Sequence, residues 1–346
     1  MGMQGSMLHS KEITMWCRRL GCLVPCTLGL LLVPLPATAQ PREKIPLVSV
    51  LYWGYTPAPA NPSGFVTIFQ QGLQELGHVA GQTIRLEYRY AECQWDRFPT
   101  LAAELVQLKP DVIVTGTLPD VLAAKQATTT IPIVVAAADD LVEEGIVESL
   151  ARPGGNITGQ ILPDIELAGK RLEMLKEAAP TITYTAILVD AGSPVAKRYP
   201  SAIAREAHAF GVRLQRVDAG TPEAIDAALV TIAASSADAL MVAENALLNA
   251  HRQHILDFAR PHRSPTVCGV RAYAEEGCLI AYAANLFEMH RRATVFVDKL
   301  LKGATPRDMP VEQPTKFELV LNLKTAKTLG LIIPPLVLGR ADQVIQ

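Results

Sequence analysis

The feature that most constrains the fold is a regular alternation of short apolar segments with longer amphipathic ones. Leu47–Tyr52 (LVSVLY) is apolar and rich in β-branched residues over the length of one strand, and Ser63–Leu76 then repeats apolar residues at helical spacing. The same order recurs towards the C-terminus. Strands separated by helices of about 10–15 residues are typical of βαβ units, and therefore of parallel sheets covered by helices.

The alternation occurs in two successive blocks, which are separated by the segment ARPGGNITG at 151–159. Its glycines and proline predict a loop, and a helix is predicted just before it at Leu141–Leu150. The fold class predicted from the two blocks is α/β, with two doubly wound parallel-sheet lobes joined by a hinge. We expect an N-terminal lobe of residues 40–159 and 286–311, and a C-terminal lobe of residues 160–285 and 312–346.

The N-terminal residues have the pattern of a secretory signal peptide. A basic pair at 18–19 precedes an uncharged apolar stretch at 20–36, and Ala37-Thr38-Ala39 fits an A-x-A cleavage site. We therefore predict a signal peptide at 1–39 and export to the periplasm. A lipid anchor on a cysteine of this leader is the alternative, but the residues before those cysteines fit a lipobox poorly.

Composition and missing motifs exclude several classes of function. The formal net charge is −2 and no basic run occurs, so a nucleic-acid partner is not expected. The sequence contains no nucleophile elbow of the form G-x-S-x-G, no P-loop and no G-x-G-x-x-G. We therefore predict neither an enzyme nor a bound cofactor.

The cysteines and histidines do not form a metal-binding pattern. Beyond the leader the cysteines are Cys93, Cys268 and Cys278, and an odd number cannot make a complete disulfide framework. Cys268 and Cys278 either pair in an oxidising compartment or remain buried thiols, and the sequence favours the second. No C-x-x-C motif follows the leader and the histidines are dispersed, so no metal site is predicted.

Polar and aromatic side chains follow the predicted strands, where ligands bind in open parallel sheets. Carboxylates there would bind an amine, hydroxyls and amides at a helix N-terminus would bind an anion, and aromatic rings would stack on an apolar group. We expect the cleft between the lobes to bind a small polar molecule, of which an amino acid is one candidate. The candidate ligand-binding residues are Trp53, Tyr55, Thr115, Thr117, Asp139, Asp140, Asp190, Ser193, Glu244, Asn245, Arg271 and Tyr282.

Several of these candidates have a purely structural alternative. Asp140 and Asp190 could cap the helices that follow them, and Thr117 could cap a helix in the same way. Trp53 could belong to the hydrophobic core. Arg271 could pair with a nearby glutamate on the surface.

Longer segments of the chain resemble one known family. They are FQQGLQELG at 69–77, AAKQATTTIPI at 123–133, SLARPGGNITG at 149–159, LAGKRLE at 167–173 and PVEQPTKFELVLNLKTA at 310–326. Together they span nearly the whole chain after the leader. They resemble the bacterial ABC-transporter substrate-binding proteins of the tryptophan/phenylalanine-binding type.

The resemblance implies a type I periplasmic binding fold with a three-stranded hinge, and delivery of a solute to a membrane permease and ATPase. Better-understood members hold an aromatic amino acid. The family pattern carries over to Thr117, Asp139 and the pair Glu244-Asn245. Asp140 stands where the family has proline, and Glu244 stands where it has aspartate. The alternative function is a periplasmic sensor that signals from the same cleft to a membrane receptor.

Overall fold

The computed structural model describes residues 45–57, 64–139 and 141–346 of the chain. The predicted signal peptide and Asp140 lie outside these ranges. Within them, no helix combines the length and apolar character needed to cross a membrane.

The first lobe is built on a five-stranded parallel sheet with helices packed around it. Its strands are β1 (Leu47–Tyr52), β2 (Arg85–Tyr90), β3 (Val112–Thr115), β4 (Ile133–Ala138) and β5 (Ile157–Ile161), and its helices include α1 (Gly64–Glu75), α2 (Phe98–Gln107) and α3 (Leu118–Ala127). The strand order is β2-β1-β3-β4-β5. The central strands β1, β3 and β4 are almost entirely buried and mostly apolar, because helices cover both faces of a parallel sheet.

The second lobe is built on a seven-stranded sheet. Its strands are β6 (Tyr184–Val189), β7 (Arg213–Asp218), β8 (Ala239–Val242), β9 (Thr266–Cys268), β10 (Ile280–Ala284), β11 (Phe317–Asn322) and β12 (Gln343–Ile345), in the order β12-β11-β10-β9-β8-β6-β7. All neighbouring pairs are parallel except β10 and β11. The remaining α-helices of the described residues are α4 (Asp164–Ala178), α5 (Tyr199–Ala209), α6 (Pro222–Ala234), α7 (Ala246–Ala250), α8 (Arg252–Ala259), α9 (Arg271–Glu276), α10 (Leu286–Leu301), α11 (Leu323–Leu329) and α12 (Pro335–Leu338).

Helix α10 returns the chain to the first lobe after β10. It packs on α1, β4 and β5, and its buried side chains Ala293, Phe296 and Val297 share a core cluster with residues of β1, β3 and β4. Asn285 caps this helix, because its side-chain oxygen accepts the backbone N–H of Glu288 at 3.0 Å. The chain therefore passes between the lobes before α4, before α10 and before β11.

The third of these passages pairs with the first lobe before it leaves. The N–H of Glu312 donates to the carbonyl of Gly159 at 2.8 Å, and the N–H of Ile161 donates to the carbonyl of Glu312 at 3.0 Å. The domain boundaries predicted from the sequence stay a prediction. The structure adds that β5 continues to Ile161, two residues past the expected boundary at 159.

Two local predictions were wrong. The segment 151–159 is not a loop to its end, because Ile157 begins β5. Gly159 lies in that strand with φ +129°, and a Cβ there would lie 2.1 Å from the carbonyl oxygen of Val135. Leu141–Leu150 forms turns instead of a helix. Leu141, Ile146 and Val147 are nevertheless buried, so their spacing reflects turns packed on the core.

Candidate functional site

A cavity of about 460 Å³ lies between the two lobes, at the carboxyl ends of strands from both sheets. Small-molecule sites occupy about 300–1,000 Å³, so the space suits a small organic ligand. Seven of the residues predicted from strand-end positions line it. They are Trp53, Tyr55, Thr117, Asp139, Ser193, Glu244 and Asn245.

One wall of the cavity is aromatic. Phe65, in the first turn of α1, stacks on Tyr52 with ring centroids 5.0 Å apart, and Trp53 lies 5.2 Å from Tyr52. His290 of α10 meets Phe65 edge-on at 4.8 Å. Burial lowers the pKa of His290 to about 4, so its imidazole is neutral at pH 7. These rings offer apolar surface to a flat group on a ligand.

Three carboxyl groups also line the cavity and make part of its wall acidic. Asp139 follows β4 of the first lobe, whereas Asp164 opens α4 and Glu244 follows β8 in the second lobe. Burial, and then the charge of Asp164, raises the pKa of Asp139 to about 8. The same two causes raise the pKa of Glu244 well above its usual value. Within the described residues, no group of three His, Cys, Asp or Glu side chains is arranged to hold a metal ion.

A single buried guanidinium neutralises part of this charge. Arg171 donates from Nη1 to Asp164 Oδ1 at 2.5 Å, and the two side chains are 1% and 2% exposed. Arg171 lies two helical turns after Asp164, so both share one face of α4. Its Nε donates to the carbonyl of Tyr282 at 2.8 Å. Gly269 makes room for the guanidinium, since a Cβ there would lie 2.8 Å from Nη2.

Several buried oxygen atoms on the cavity wall have no hydrogen-bond partner among the described residues. Glu244 Oε2 and Asn249 Oδ1 are two of them. A buried acceptor without a donor costs about 1–3 kcal/mol, and more when it is charged. An ammonium group brings three N–H donors and a positive charge. The acidic wall is therefore suited to binding a cationic amine.

The N-terminus of α3 is less available to an anion than the sequence suggested. The carboxylate of Asp120 accepts the N–H of Gly116 at 3.0 Å and that of Thr117 at 2.8 Å. Asp120 is fully buried, and burial raises its pKa to about 7. Two of the backbone donors expected to bind a ligand anion are thus occupied by the chain's own side chain.

Three predicted residues lie off the cavity wall, for different reasons. Thr115 is the last residue of β3 and is still inside the sheet, where its hydroxyl donates to a carbonyl of β4 at 3.4 Å. Arg271 begins α9, where it is exposed and pairs with Glu275 one turn later at 2.8 Å. Tyr282 is not at a strand end, because β10 continues to Ala284.

Asp190 is also absent from the wall. Its carboxylate accepts the indole N–H of Trp95 at 3.1 Å and the N–H of Gly192 at 2.7 Å. Burial raises its pKa to about 6 despite these hydrogen bonds. Asp190 therefore contacts the first lobe instead of the cavity. Asp140, the remaining candidate, lies outside the described residues.

Sequence reasoning missed Asp164, Arg171, Phe65 and His290. Asp164 lies just beyond β5, much as Asp139 follows β4, so the strand-end rule would have found it had β5 been predicted. Arg171 could have been noticed as a charged residue on the apolar face of a predicted amphipathic helix. Phe65 and His290 gave no signal, because they are brought together by the packing of α1 on α10.

Comparison with known proteins gives the family and the fold. A family model described as ABC transporter substrate binding protein matches residues 63–345. The Tyrosine-binding protein of Clostridioides difficile (strain R20291) is 23% identical over 263 residues, which cover 76% of this chain and 75% of that protein.

Solved structures share the architecture. The ABC domain in complex with L-Trp from Streptococcus pneumonia has a TM-score of 0.79 at 23% identity, covering 87% of this chain and 100% of that chain. The ligand-free, open structure of a substrate binding protein with adhesive properties from Clostridium difficile has a TM-score of 0.62 at 22% identity, with the same coverage of both chains. These likenesses confirm the predicted α/β fold of two doubly wound lobes.

Proposed function

This chain belongs to the family of ABC transporter substrate-binding proteins, and from that premise we propose that it captures an amine-bearing solute for an ABC importer. The solute binds in the cavity between the lobes and is handed unchanged to a membrane permease, whose transport is driven by a separate ATPase. The leader pattern supports export to the periplasm. The protein would then be linked to the membrane through its binding to the transporter.

The observation that carries this proposal is the unpaired acidic wall. Beside Asp139, Asp164 and Glu244 lies one buried guanidinium, that of Arg171. Arg252 also lines the cavity, but its guanidinium is already paired with Glu276 at 2.6 Å. The buried Glu244 Oε2 lacks a donor within the described structure. An ammonium group supplies both the donor and the missing positive charge. Because it would lie between Asp139 of one lobe and Glu244 of the other, it would also draw the lobes together.

The aromatic wall narrows the class of amine. On the first-lobe side of the cavity Phe65 stacks on Tyr52 and Trp53 lies tilted against Tyr52. This aromatic surface favours a ligand with a flat apolar group. Aromatic amino acids combine such a group with an ammonium. Two of the similar proteins point the same way, since one is named for tyrosine and the other was solved with L-Trp.

Calorimetric titration of the purified protein tests the ligand class. L-tryptophan, L-tyrosine and L-phenylalanine are compared with tryptamine, which lacks the carboxylate, and indole-3-propionate, which lacks the amine. We expect binding by the amino acids and loss of binding by indole-3-propionate. Tight binding of indole-3-propionate would contradict the role of the acidic wall. The ligand recovered after incubation should have an unchanged mass.

Two isosteric substitutions test the residues. Glu244→Gln and Asp139→Asn keep the shape of each side chain and remove its charge, so each should weaken amino-acid binding at least tenfold, or about 1.4 kcal/mol. Asp218→Asn is the matched control, because Asp218 lies outside the cavity at the end of β7 and pairs with Arg216. Equal affinities of all three variants and the wild type would place the ligand elsewhere.

A further inference from the structure

Two cysteines of the second lobe lie unusually close together. The Sγ atoms of Cys268 and Cys278 are 2.8 Å apart, and both residues are completely buried. Non-bonded carbon atoms in a protein core approach to about 3.5–4.0 Å, and sulfur is larger than carbon. A disulfide bond measures about 2.05 Å. The two sulfur atoms are therefore nearer than ordinary packing allows, and less than 1 Å from bonding distance.

We propose that Cys268 and Cys278 form a disulfide bond when the protein folds in an oxidising compartment. The sequence favoured two free thiols, because it gives no distance between these residues. Their separation in the fold is the observation that reverses this expectation. The proposal rests on the proposed export only for the source of the oxidant.

The backbone on both sides holds the two sulfur atoms in place. Cys268 ends β9, which pairs with both β8 and β10 in the middle of the sheet. Cys278 comes two residues before β10, and its N–H donates to the carbonyl of Tyr273 at 2.8 Å. Residues of β11 and α11 also anchor this loop. Asn322 Nδ2 donates to the carbonyl of Ala274 at 2.8 Å, and Thr325 Oγ1 donates to the carbonyl of Gly277 at 2.9 Å. The closeness is thus set by strand pairing and loop anchoring.

The oxidation is a thiol–disulfide exchange with a small-molecule or protein disulfide. A thiolate of one cysteine attacks the oxidant, whose S–S bond breaks to give a mixed disulfide and one released thiol. The second cysteine then attacks its partner's sulfur, which forms the Cys268–Cys278 bond and releases the second thiol of the oxidant. Two electrons and two protons pass from the cysteines to the oxidant. Burial of both sulfurs in the native protein means that exchange occurs during folding.

The bond would fix a segment that supports the ligand cavity. The loop it closes, 268–278, contains α9, whose Ala272 lines the cavity. The same loop contains Gly269, and a Cβ at that position would lie 2.8 Å from Arg171 Nη2 and 3.0 Å from Glu244 Cβ. The crosslink therefore joins the two ends of the loop that packs directly behind Arg171 and Glu244.

Cys93 provides an internal control. It is a buried free cysteine on the loop after β2 in the first lobe, and burial raises the pKa of its thiol to about 11. Because a disulfide needs two sulfurs within bonding reach, Cys93 should stay reduced under conditions that oxidise the other pair. Labelling all three cysteines in denaturant removes any difference in access.

The experiment maps labelled peptides by mass spectrometry. Two samples are compared. One is protein exported by a bacterial host, and the other is protein refolded from the reduced state with oxidised and reduced glutathione. Each sample is denatured and treated with iodoacetamide, with and without prior reduction. We expect Cys93 to be labelled in all samples. Cys268 and Cys278 should be labelled only after reduction, and a peptide pair crosslinked through them should disappear on reduction.

Two results would overturn the proposal. Full labelling of Cys268 and Cys278 without reduction after glutathione refolding would show that the pair does not form, whatever the location of the protein. A crosslink from Cys93 to either residue would show a different pairing. If Cys268 and Cys278 were labelled without reduction in the exported sample alone, the proposed export to an oxidising compartment would be contradicted. The refolded sample would still support the disulfide. Cys93→Ala repeats the measurement without the third thiol, and none of these outcomes depends on ligand binding.

Discussion

The indole N–H of Trp95 donates a hydrogen bond to the carboxylate of Asp190 at 3.1 Å, and this bond joins the two lobes beside the cavity. Trp95 lies just before α2 of the first lobe, and Asp190 follows β6 of the second. Arg198 makes a similar contact with Glu144, at 3.3 Å from Nη1 to Oε1. Such contacts exist only while the lobes are together, so they stabilise the closed arrangement.

Removing the indole donor should therefore weaken ligand binding without changing the acidic wall. A hydrogen bond to a charged group contributes about 1.5–3 kcal/mol, so Trp95→Phe should weaken binding of L-tryptophan about tenfold or more. Calorimetry of Trp95→Phe, Asp190→Asn and the double variant forms a cycle. The two losses should not add, because either change breaks the same bond. Additive losses would show that Trp95 acts through the ligand alone.

The buried pair of Asp164 and Arg171 should be required for stability. Arg171→Met leaves the carboxylate of Asp164 buried without its partner, and breaking such a pair costs about 3–5 kcal/mol of unfolding free energy. The measurement is urea denaturation followed by circular dichroism. Arg205→Met is the matched control, because the Arg205 side chain is 91% exposed and should change the free energy by less than about 0.5 kcal/mol. Similar losses in the two variants would contradict the assignment.

The stability of the ligand-free protein should fall as the pH rises from about 4 to 8. Burial raises the pKa of Asp139 from its ordinary value of 3.8 to about 8. Between these values the folded protein keeps a proton that the unfolded chain releases, so rising pH favours unfolding. One such proton gives at most about 1.4 kcal/mol per pH unit. Because Asp139 is half-buried, solvent screening reduces the pKa shift and narrows the pH range over which this slope applies.

Denaturation of Asp139→Asn at several pH values isolates this group. Asparagine resembles the protonated acid, so the variant and the wild type should have similar stability near pH 4. The variant should then become the more stable of the two towards pH 8. Asp218→Asn, at an exposed position, should keep the wild-type slope. If Asp139→Asn kept the wild-type dependence of stability on pH, that dependence would come from other carboxyl groups.

Ligand binding should show the opposite dependence on pH. In the proposed binding mode an ammonium group would contact the ionised forms of Asp139 and Glu244, whose pKa values are raised in the ligand-free protein. Binding therefore releases protons, and the Kd for L-tryptophan should fall between pH 6 and pH 8 by up to tenfold per pH unit for each proton released. Calorimetry in buffers of different ionisation enthalpy counts the protons. A Kd that is constant or rises over this range would refute the linkage.

Parts of the site could be predicted because they depend on local sequence. Trp53, Asp139 and Glu244 each follow a strand whose apolar residues are evident, so the rule that ligands bind beyond strand ends found them. The same rule failed at Tyr282, where β10 runs two residues further than its apolar pattern suggested. It also failed at Asp190, which does follow a strand but meets Trp95 from the other lobe.

The sequence by itself determined the alternation of strands and helices, and hence the class of fold. Hydrophobic periodicity is a property of neighbouring residues and can be found without knowledge of the rest of the chain. Only the tertiary structure decided which loops meet. Asp139 and Asp164 line one cavity, and Cys268 lies beside Cys278, because the chain crosses between the lobes and the strands pair in a particular order. Those distances arise from long-range packing, which no local pattern encodes.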